Sequence, residues 1–314
     1  MDPINNISFV FPGQGSQKVG MLNEFAGEHT VRITFSEASD ILGYDVWKLI
    51  QEGDPSALNL TVRTQPILLC CSVALWRLWL ARGGITPDYL AGHSLGEWSA
   101  LVCAGAISFE EALSIVEERG ALMQSAVPEG SGAMAAVIGL NDRAVLECCE
   151  QARANGEVSA VNFNAPGQIV IAGTAAAVKT AISLCKKAGA KRSILLPVSA
   201  PFHTPMMRSA AEKLGERLKN VLFSYAEIPV IHNVHGCFED SPEGIKAAVL
   251  KQIYQPVLWV KCVERLCSEG ANIFIECGPG SILSGLIRRI DKNIRVYSLH
   301  TIDAFESAIS AASE

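Results

Sequence analysis

The chain alternates compact apolar runs with longer stretches whose apolar residues recur every three or four positions, the mixture expected of buried strands and amphipathic helices. Three runs share one form. Residues 7–11 close on Pro12-Gly13-Gln14-Gly15-Ser16-Gln17, Tyr89-Leu90-Ala91 closes on Gly92, and Ile273-Phe274-Ile275-Glu276-Cys277 closes on Gly278-Pro279-Gly280. Each predicts a buried strand with a loop at its carboxyl end. Residues 31–59 predict two or three short amphipathic helices, and 66–81, with proline in its first turn and Arg82-Gly83-Gly84 behind it, predicts the most buried helix. Its all-round apolar character implies packing on both sides. An apolar segment over 98–106 begins another buried helix, and Ser108-Phe109-Glu110-Glu111 is a capping box opening a helix that reaches about Ser125.

From Pro128-Glu129-Gly130-Ser131-Gly132, a hinge-like turn, the pattern changes. It predicts strand 134–140, helix 142–155, strand 158–163, strand 168–172, helix 175–188 and strand 192–198, in the order β-α-β-β-α-β. Beyond it come a helix over 206–219, strand 229–234, helices over 241–254 and 257–269, strand 273–277 and helix 281–290. The fold class is α/β: a larger α/β-hydrolase-like domain with a mostly parallel sheet, carrying an inserted ferredoxin-like (βαββαβ) subdomain. The expected division is 1–127 and 199–314 for the larger domain and 128–198 for the smaller.

Composition narrows the class. Of 314 residues 49% are hydrophobic and 18% charged, the balance of a soluble enzyme with much buried sheet. Twenty-six lysines and arginines against 32 acidic residues give a net charge of −6, which argues against nucleic acid as a partner and leaves an acidic partner only local basic patches. The ten cysteines contain no C-x-x-C and mostly lie in apolar context, as in Leu69-Cys70-Cys71-Ser72-Val73, so a reducing cytoplasm is expected. The first six residues have neither a basic nor a long apolar region, and the run 66–76 stops at Arg77, too short to span a bilayer. The expectation is a cytoplasmic protein, neither exported nor membrane-embedded.

Candidate chemistry gathers at the strand ends. Gly92-His93-Ser94-Leu95-Gly96 is a G-x-S-x-G turn from strand to helix, which would hold a serine in a strained conformation beside free helix N–H groups able to stabilise an oxyanion. The loop at Gly13 and Gly15 is not a dinucleotide fingerprint, because position 18 is lysine. It is either a plain turn or a place where backbone approaches a ligand. Ala112, Val116, Arg119 and Met123 share one helical stripe, so a guanidinium lies on an apolar face, answering an anion or pairing with an acid at the rim. Among six histidines, His203, on a proline-flanked segment before a helix, is the best candidate base. His232 and His235 would point to opposite faces of a strand, which argues against a shared metal, and no metal site stands out.

Six motifs, in order, resemble the landmarks of the malonyl-CoA:acyl carrier protein transacylase family: Phe9-Val10-Phe11-Pro12-Gly13-Gln14-Gly15-Ser16-Gln17, Gly92-His93-Ser94-Leu95-Gly96-Glu97, Glu118-Arg119-Gly120, Val161-Asn162-Phe163-Asn164, Pro201-Phe202-His203 and Glu276-Cys277-Gly278-Pro279-Gly280. The resemblance spans essentially the whole chain. It implies a Ser/His acyltransferase moving malonyl from malonyl-CoA to the phosphopantetheine thiol of acyl carrier protein by ping-pong, for fatty acid biosynthesis. It further implies Ser94 as nucleophile, His203 as base, backbone N–H groups of Gln14 and Leu95 as oxyanion hole, and Arg119 as receptor of the malonyl carboxylate. Gln252 matches the position whose main-chain carbonyl orients the histidine, Asn162 one lining the acyl pocket, and Phe202 the malonyl-selective version of its segment. No cofactor is implied; the partners are a coenzyme A thioester and the carrier, acidic as a class. Arg288, Arg289 and Lys292, or Lys186, Lys187, Lys191 and Arg192, are candidate docking sites for it. The rival readings are a serine esterase or thioesterase, a family member serving polyketide synthesis, and a non-catalytic carrier-binding protein.

Overall fold

The computed structural model describes residues 6–198 and 200–313. Residues 1–5, read above as part of a start without a leader, Ser199 at the expected domain boundary and Glu314 lie outside the described residues. In chain order, β1 (Ile7–Phe11), α1 (His29–Leu42), α2 (Val46–Glu52), α3 (Pro55–Leu58), α4 (Thr61–Ala81), β2 (Tyr89–Gly92), α5 (Leu95–Cys103) and α6 (Phe109–Gln124) come first. Then follow β3 (Gly132–Ile138), α7 (Asp142–Ala152), β4 (Val158–Ala165), β5 (Gln168–Thr174), α8 (Ala175–Lys187) and β6 (Arg192–Leu195). The chain closes with α9 (Arg208–Leu218), β7 (Val230–Ile231), α10 (Pro242–Gln252), α11 (Trp259–Ser268), β8 (Ile273–Glu276), α12 (Ile282–Ile290), β9 (Arg295–Ser298) and α13 (Ile302–Ser313).

β7, β2, β1, β8 and β9 form a five-stranded sheet in that order, every pairing parallel. The apolar runs are unbroken because both faces of the sheet are covered. Ile7, Phe9 and Phe11 face one core, where the Phe9 ring meets Trp76 and Trp79 of α4 edge-on, while Val10 packs on the other side with Trp259 and Phe274. The carboxyl ends of β1 and β2 lie side by side, Phe11 opposite Gly92, so the loops that follow them meet.

β3 to β6 form a separate antiparallel sheet, in the order β4-β5-β3-β6. Its core is its own, built from residues such as Val137, Val145, Ile171 and Val178 between the sheet and α7 and α8. The chain ties this sheet back to the larger unit through Val257, whose N–H bonds the Val161 carbonyl and whose carbonyl accepts from the Phe163 N–H.

Several elements differ from the sequence reading. α4 begins at Thr61 and carries Pro66 inside it. Packing against α1, α5 and α6 offsets the roughly 3 kcal/mol that an interior proline costs. Its 21 residues are long and apolar enough to cross a membrane by length and composition, unlike the shorter run expected, but 83% of its most apolar window is buried inside the protein. α5 starts directly after Ser94, and α11 only at Trp259, because Val257 is taken up in the bridge to β4. The capping box is half formed: Ser108 Oγ accepts from the Glu111 N–H, but the Glu111 carboxylate turns to Arg217. β6 stops at Leu195 and β7 at Ile231. His232 instead pairs with Cys237 across a tight turn over 233–236, and the two histidine rings meet edge-on, 6.0 Å apart, rather than facing opposite ways. They hold different partners, Glu97 and Glu239. β9 and α13 were not anticipated, since β9 is a half-exposed edge strand without an apolar run.

Candidate active site

β2 delivers Ser94 at its carboxyl end, and α5 departs from the next residue. Ser94 sits at φ 51°, ψ −106°, a conformation an L-residue adopts only under strain. Its neighbours have no room for side chains: a Cβ on Gly92 would stand 1.9 Å from the Gly96 carbonyl carbon, and one on Gly96 would stand 2.0 Å from the Phe11 oxygen. The glycines thus let strand, turn and helix interlock. As the first residue of α5, Leu95 keeps an N–H that the helix itself cannot satisfy.

His203 also has a left-handed backbone, φ 64°. Its Nε2 lies 2.8 Å from Ser94 Oγ and its Nδ1 lies 2.7 Å from the Gln252 main-chain carbonyl. A carbonyl only accepts, so Nδ1 carries the proton and the Nε2 lone pair faces the serine hydroxyl. Burial first, then the Arg119 charge, pushes the His203 pKa down to about 3, so the ring is neutral at physiological pH and free to take a proton. Its third partner is a main-chain carbonyl where a serine triad would have a carboxylate.

Arg119 reaches the same point from α6, and is buried. Nη2 lies 3.4 Å from Ser94 Oγ and 3.0 Å from Gln252 Oε1, Nη1 donates to Gln65 Oε1 at 2.6 Å, and Nε has no partner among the described residues. Burial draws its pKa down to about 10 against the opposing pull of Glu97, which leaves it charged at neutral pH. The rim-pairing alternative is thereby set aside: the guanidinium faces inward, beside the Ser94 hydroxyl.

A cavity of about 260 Å³ opens over Ser94 and His203, lined among others by Gln14, Asn162, Val198 and Phe202. Its far wall is the face of the antiparallel sheet opposite α7 and α8, represented by Met134, Ala136 and Val170. Gln14, Ser94, Arg119, Asn162, Phe202, His203 and Gln252 are therefore gathered at one place, with Leu95 directly behind the serine. The basic residues Arg288, Arg289, Lys186 and Lys187 lie apart on the exposed surface, although Arg289 donates to Gln168, which lines the cavity. Among the described residues no group of three or more His, Cys, Asp or Glu side chains is placed to hold a metal ion.

Sequence reasoning missed the layer beneath. Asn233 Oδ1 accepts the Ser94 N–H at 2.7 Å while its Nδ2 donates to the Gly92 carbonyl. The Gln252 side-chain amide donates to the Ser94 carbonyl and to Glu97. His93 bonds Asn164 through Nε2, and burial lowers its pKa. Glu97 had a readable signal, a lone acid within an apolar helix. Gln65 and Asn233 had none, because their partners are distant in the chain.

An acyl transferase domain model matches residues 8–300. The chain belongs to the acyl transferase family. Within it, this protein is 48% identical over 308 residues to the malonyl CoA-acyl carrier protein transacylase of Salmonella typhimurium, covering 98% of this chain and 100% of the relative. It is 42% identical over 313 residues to that of Bacillus subtilis, covering 99% and 98%. Among solved structures, the transacylase from Coxiella burnetii superposes with a TM-score of 0.97 at 43% identity, covering 99% of this chain and 98% of that one. A malonyl-transacylase solved in complex with a type II polyketide synthase acyl-carrier protein superposes at 0.96 with 46% identity, covering 98% and 100%. These relatives share the α/β fold and the parallel sheet.

Proposed function

We propose that this chain transfers malonyl from malonyl-CoA to the phosphopantetheine thiol of an acyl carrier protein through a malonyl ester on Ser94. The observation that carries the reading is a buried, charged guanidinium within reach of a serine hydroxyl that already faces a neutral imidazole. His203 takes the Ser94 proton as Oγ attacks the thioester carbonyl, and returns it to the departing CoA sulfur. The Gln14 and Leu95 N–H groups receive the oxyanion, each such donor being worth about 3 kcal/mol in the transition state. Arg119 binds the malonyl carboxylate with a planar fork that lysine could not supply. The Gln252 carbonyl fixes the imidazole tautomer, and Asn162 and Phe202 bound the acyl pocket. The carrier thiol then attacks the acyl-serine with the same groups in reverse.

The larger unit is read as α/β-hydrolase-like, residues 1–127 and 199–314, and residues 128–198 as a ferredoxin-like insertion, a reading supported by the strand order β4-β5-β3-β6. The enzyme needs no cofactor and works in the cytoplasm. Fatty acid synthesis is the expected destination; the likeness to a transacylase bound to a polyketide carrier supports polyketide synthesis as a second one. The acidic carrier docks on exposed basic residues, either Arg288, Arg289 and Lys292 or Lys186, Lys187, Lys191 and Arg192.

Intact mass after mixing with malonyl-CoA tests the reading. A malonyl adduct is expected on the native chain and not on Ser94→Ala; an adduct on both, or on neither, overturns it. Comparing water with a carrier thiol as acceptor separates transferase from esterase, with thiol transfer expected to dominate.

A further inference from the structure

Among the described residues two acids, Glu97 and Glu276, are fully buried, and the proposed mechanism gives neither a task; Glu97 is the one that adjoins the site. Glu97, fully buried in the first turn of α5, collects three donors: the His232 ring at Oε1 (2.8 Å), and the Asn233 N–H (2.9 Å) and the Gln252 side-chain amide (2.8 Å) at Oε2. The Gln252 amide turns its oxygen the other way, to Arg119 Nη2 at 3.0 Å. The second anchor of the guanidinium is also a neutral amide oxygen, Gln65 Oε1 at 2.6 Å. Among the described residues the cation therefore meets no carboxylate directly. Its counter-charge stands one amide away, and Nε is buried with no acceptor among those residues.

Two simpler arrangements would each fail a carboxylate receptor. A buried arginine with no anion nearby pays a heavy desolvation cost, and one paired directly with a carboxylate has its fork occupied. An intervening amide transmits attraction while leaving donors free. We infer that Glu97, acting through the Gln252 side chain, sets how strongly Arg119 holds the substrate carboxylate and keeps that hold reversible. Glu97 is a positioning residue, since it touches neither substrate nor the reacting atoms. Reversibility matters because the same carboxylate must be gripped during acylation and released when malonyl leaves on the carrier. The inference rests on Arg119 being the carboxylate receptor.

Single-turnover acylation with malonyl-CoA and with acetyl-CoA, which lacks the free carboxylate, tests it. Glu97→Gln keeps the shape, and His232 can accommodate it by moving its proton to Nε2, which has no partner among the described residues. Apparent malonyl-CoA affinity is expected to rise about fivefold, with slower delivery to the carrier, while acetyl-CoA parameters stay within about twofold. Gln65→Glu makes the opposite change by placing a carboxylate directly on Nη1; malonyl-CoA affinity should fall about tenfold with acetyl-CoA again little moved. If malonyl and acetyl shift together, or if folded Gln65→Glu binds malonyl-CoA as the native chain does, the inference is overturned, and this second arm stands even where Glu97→Gln does not fold. Arg119→Ala separates the two levels. If it leaves the malonyl preference intact, the receptor assignment falls and takes the inference with it. If that preference collapses while Glu97→Gln and Gln65→Glu move nothing, the inference alone falls.

Discussion

Arg119 and His203 are both buried, and burial gives them opposite tasks. Arginine starts so high that a pKa drawn down to about 10 leaves it a cation, whereas the histidine, pushed down to about 3, rests neutral. Arg119→Ala should lower kcat/KM for malonyl transfer by an amount equivalent to roughly 2–5 kcal/mol, the usual loss when one partner of a buried charge pair is removed. Acetyl transfer should be spared or improved; equal loss of both in a direct comparison would refute the carboxylate role. The lowered His203 pKa also fixes a pH dependence. The native ring resists a proton that the unfolded ring accepts near 6.5, so stability held above that value is lost as pH falls toward about 3. Urea unfolding at neutral and mildly acidic pH should therefore show a smaller acid loss in His203→Gln than in the native chain. The same cause places the acid limb of kcat/KM well below the ordinary histidine value.

At the scale of elements, the interlock of β1, β2 and α5 is what makes a strained serine tolerable. Gly92 meets Gly96, and Gly96 meets the Phe11 carbonyl, so an added methyl at either position collides with backbone that cannot rotate away. Gly92→Ala and Gly96→Ala should each lower stability by at least the roughly 1–3 kcal/mol of ordinary overpacking, read as a fall in Tm, and should abolish acyl-enzyme formation in any protein that folds. A normal Tm with full activity would show that the elbow has slack. The elbow, the first strand and the helix reaching Arg119 were legible, because each signal is local: an apolar run, a glycine bracket, a cap. β9, the early start of α4 and the short β7 were not, because tertiary packing chose their ends.

For the whole molecule, the two sheets meet across the cavity, one delivering Ser94 and the other a wall of the pocket. The exposed basic residues lie outside this cavity, and Lys186 and Lys187 form no ion pair among the described residues, which leaves their charge available to an acidic carrier. Charge reversal at Arg288 and Arg289, compared with reversal at Lys186 and Lys187, should raise the carrier KM severalfold for whichever cluster docks it. Acylation by malonyl-CoA measured alone should change much less. A carrier KM unmoved by either pair would place docking elsewhere.

The sequence by itself determined the alternation of strands and helices, the separate β-α-β-β-α-β module, the serine elbow, the histidine on its proline-flanked segment and the arginine on an apolar stripe. Periodicity and backbone-restricting residues act within a few positions, so they can be read without the fold. Only the tertiary structure decided that Ser94 and His203 stand 2.8 Å apart, that the Gln252 carbonyl lies 2.7 Å from the imidazole, and that the Gln252 side-chain amide bridges Glu97 and Arg119. Those contacts join residues up to 155 positions apart, as in the bond from Gln252 to Glu97. Their chemistry depends on burial, which is a property of packing and not of any local stretch of chain.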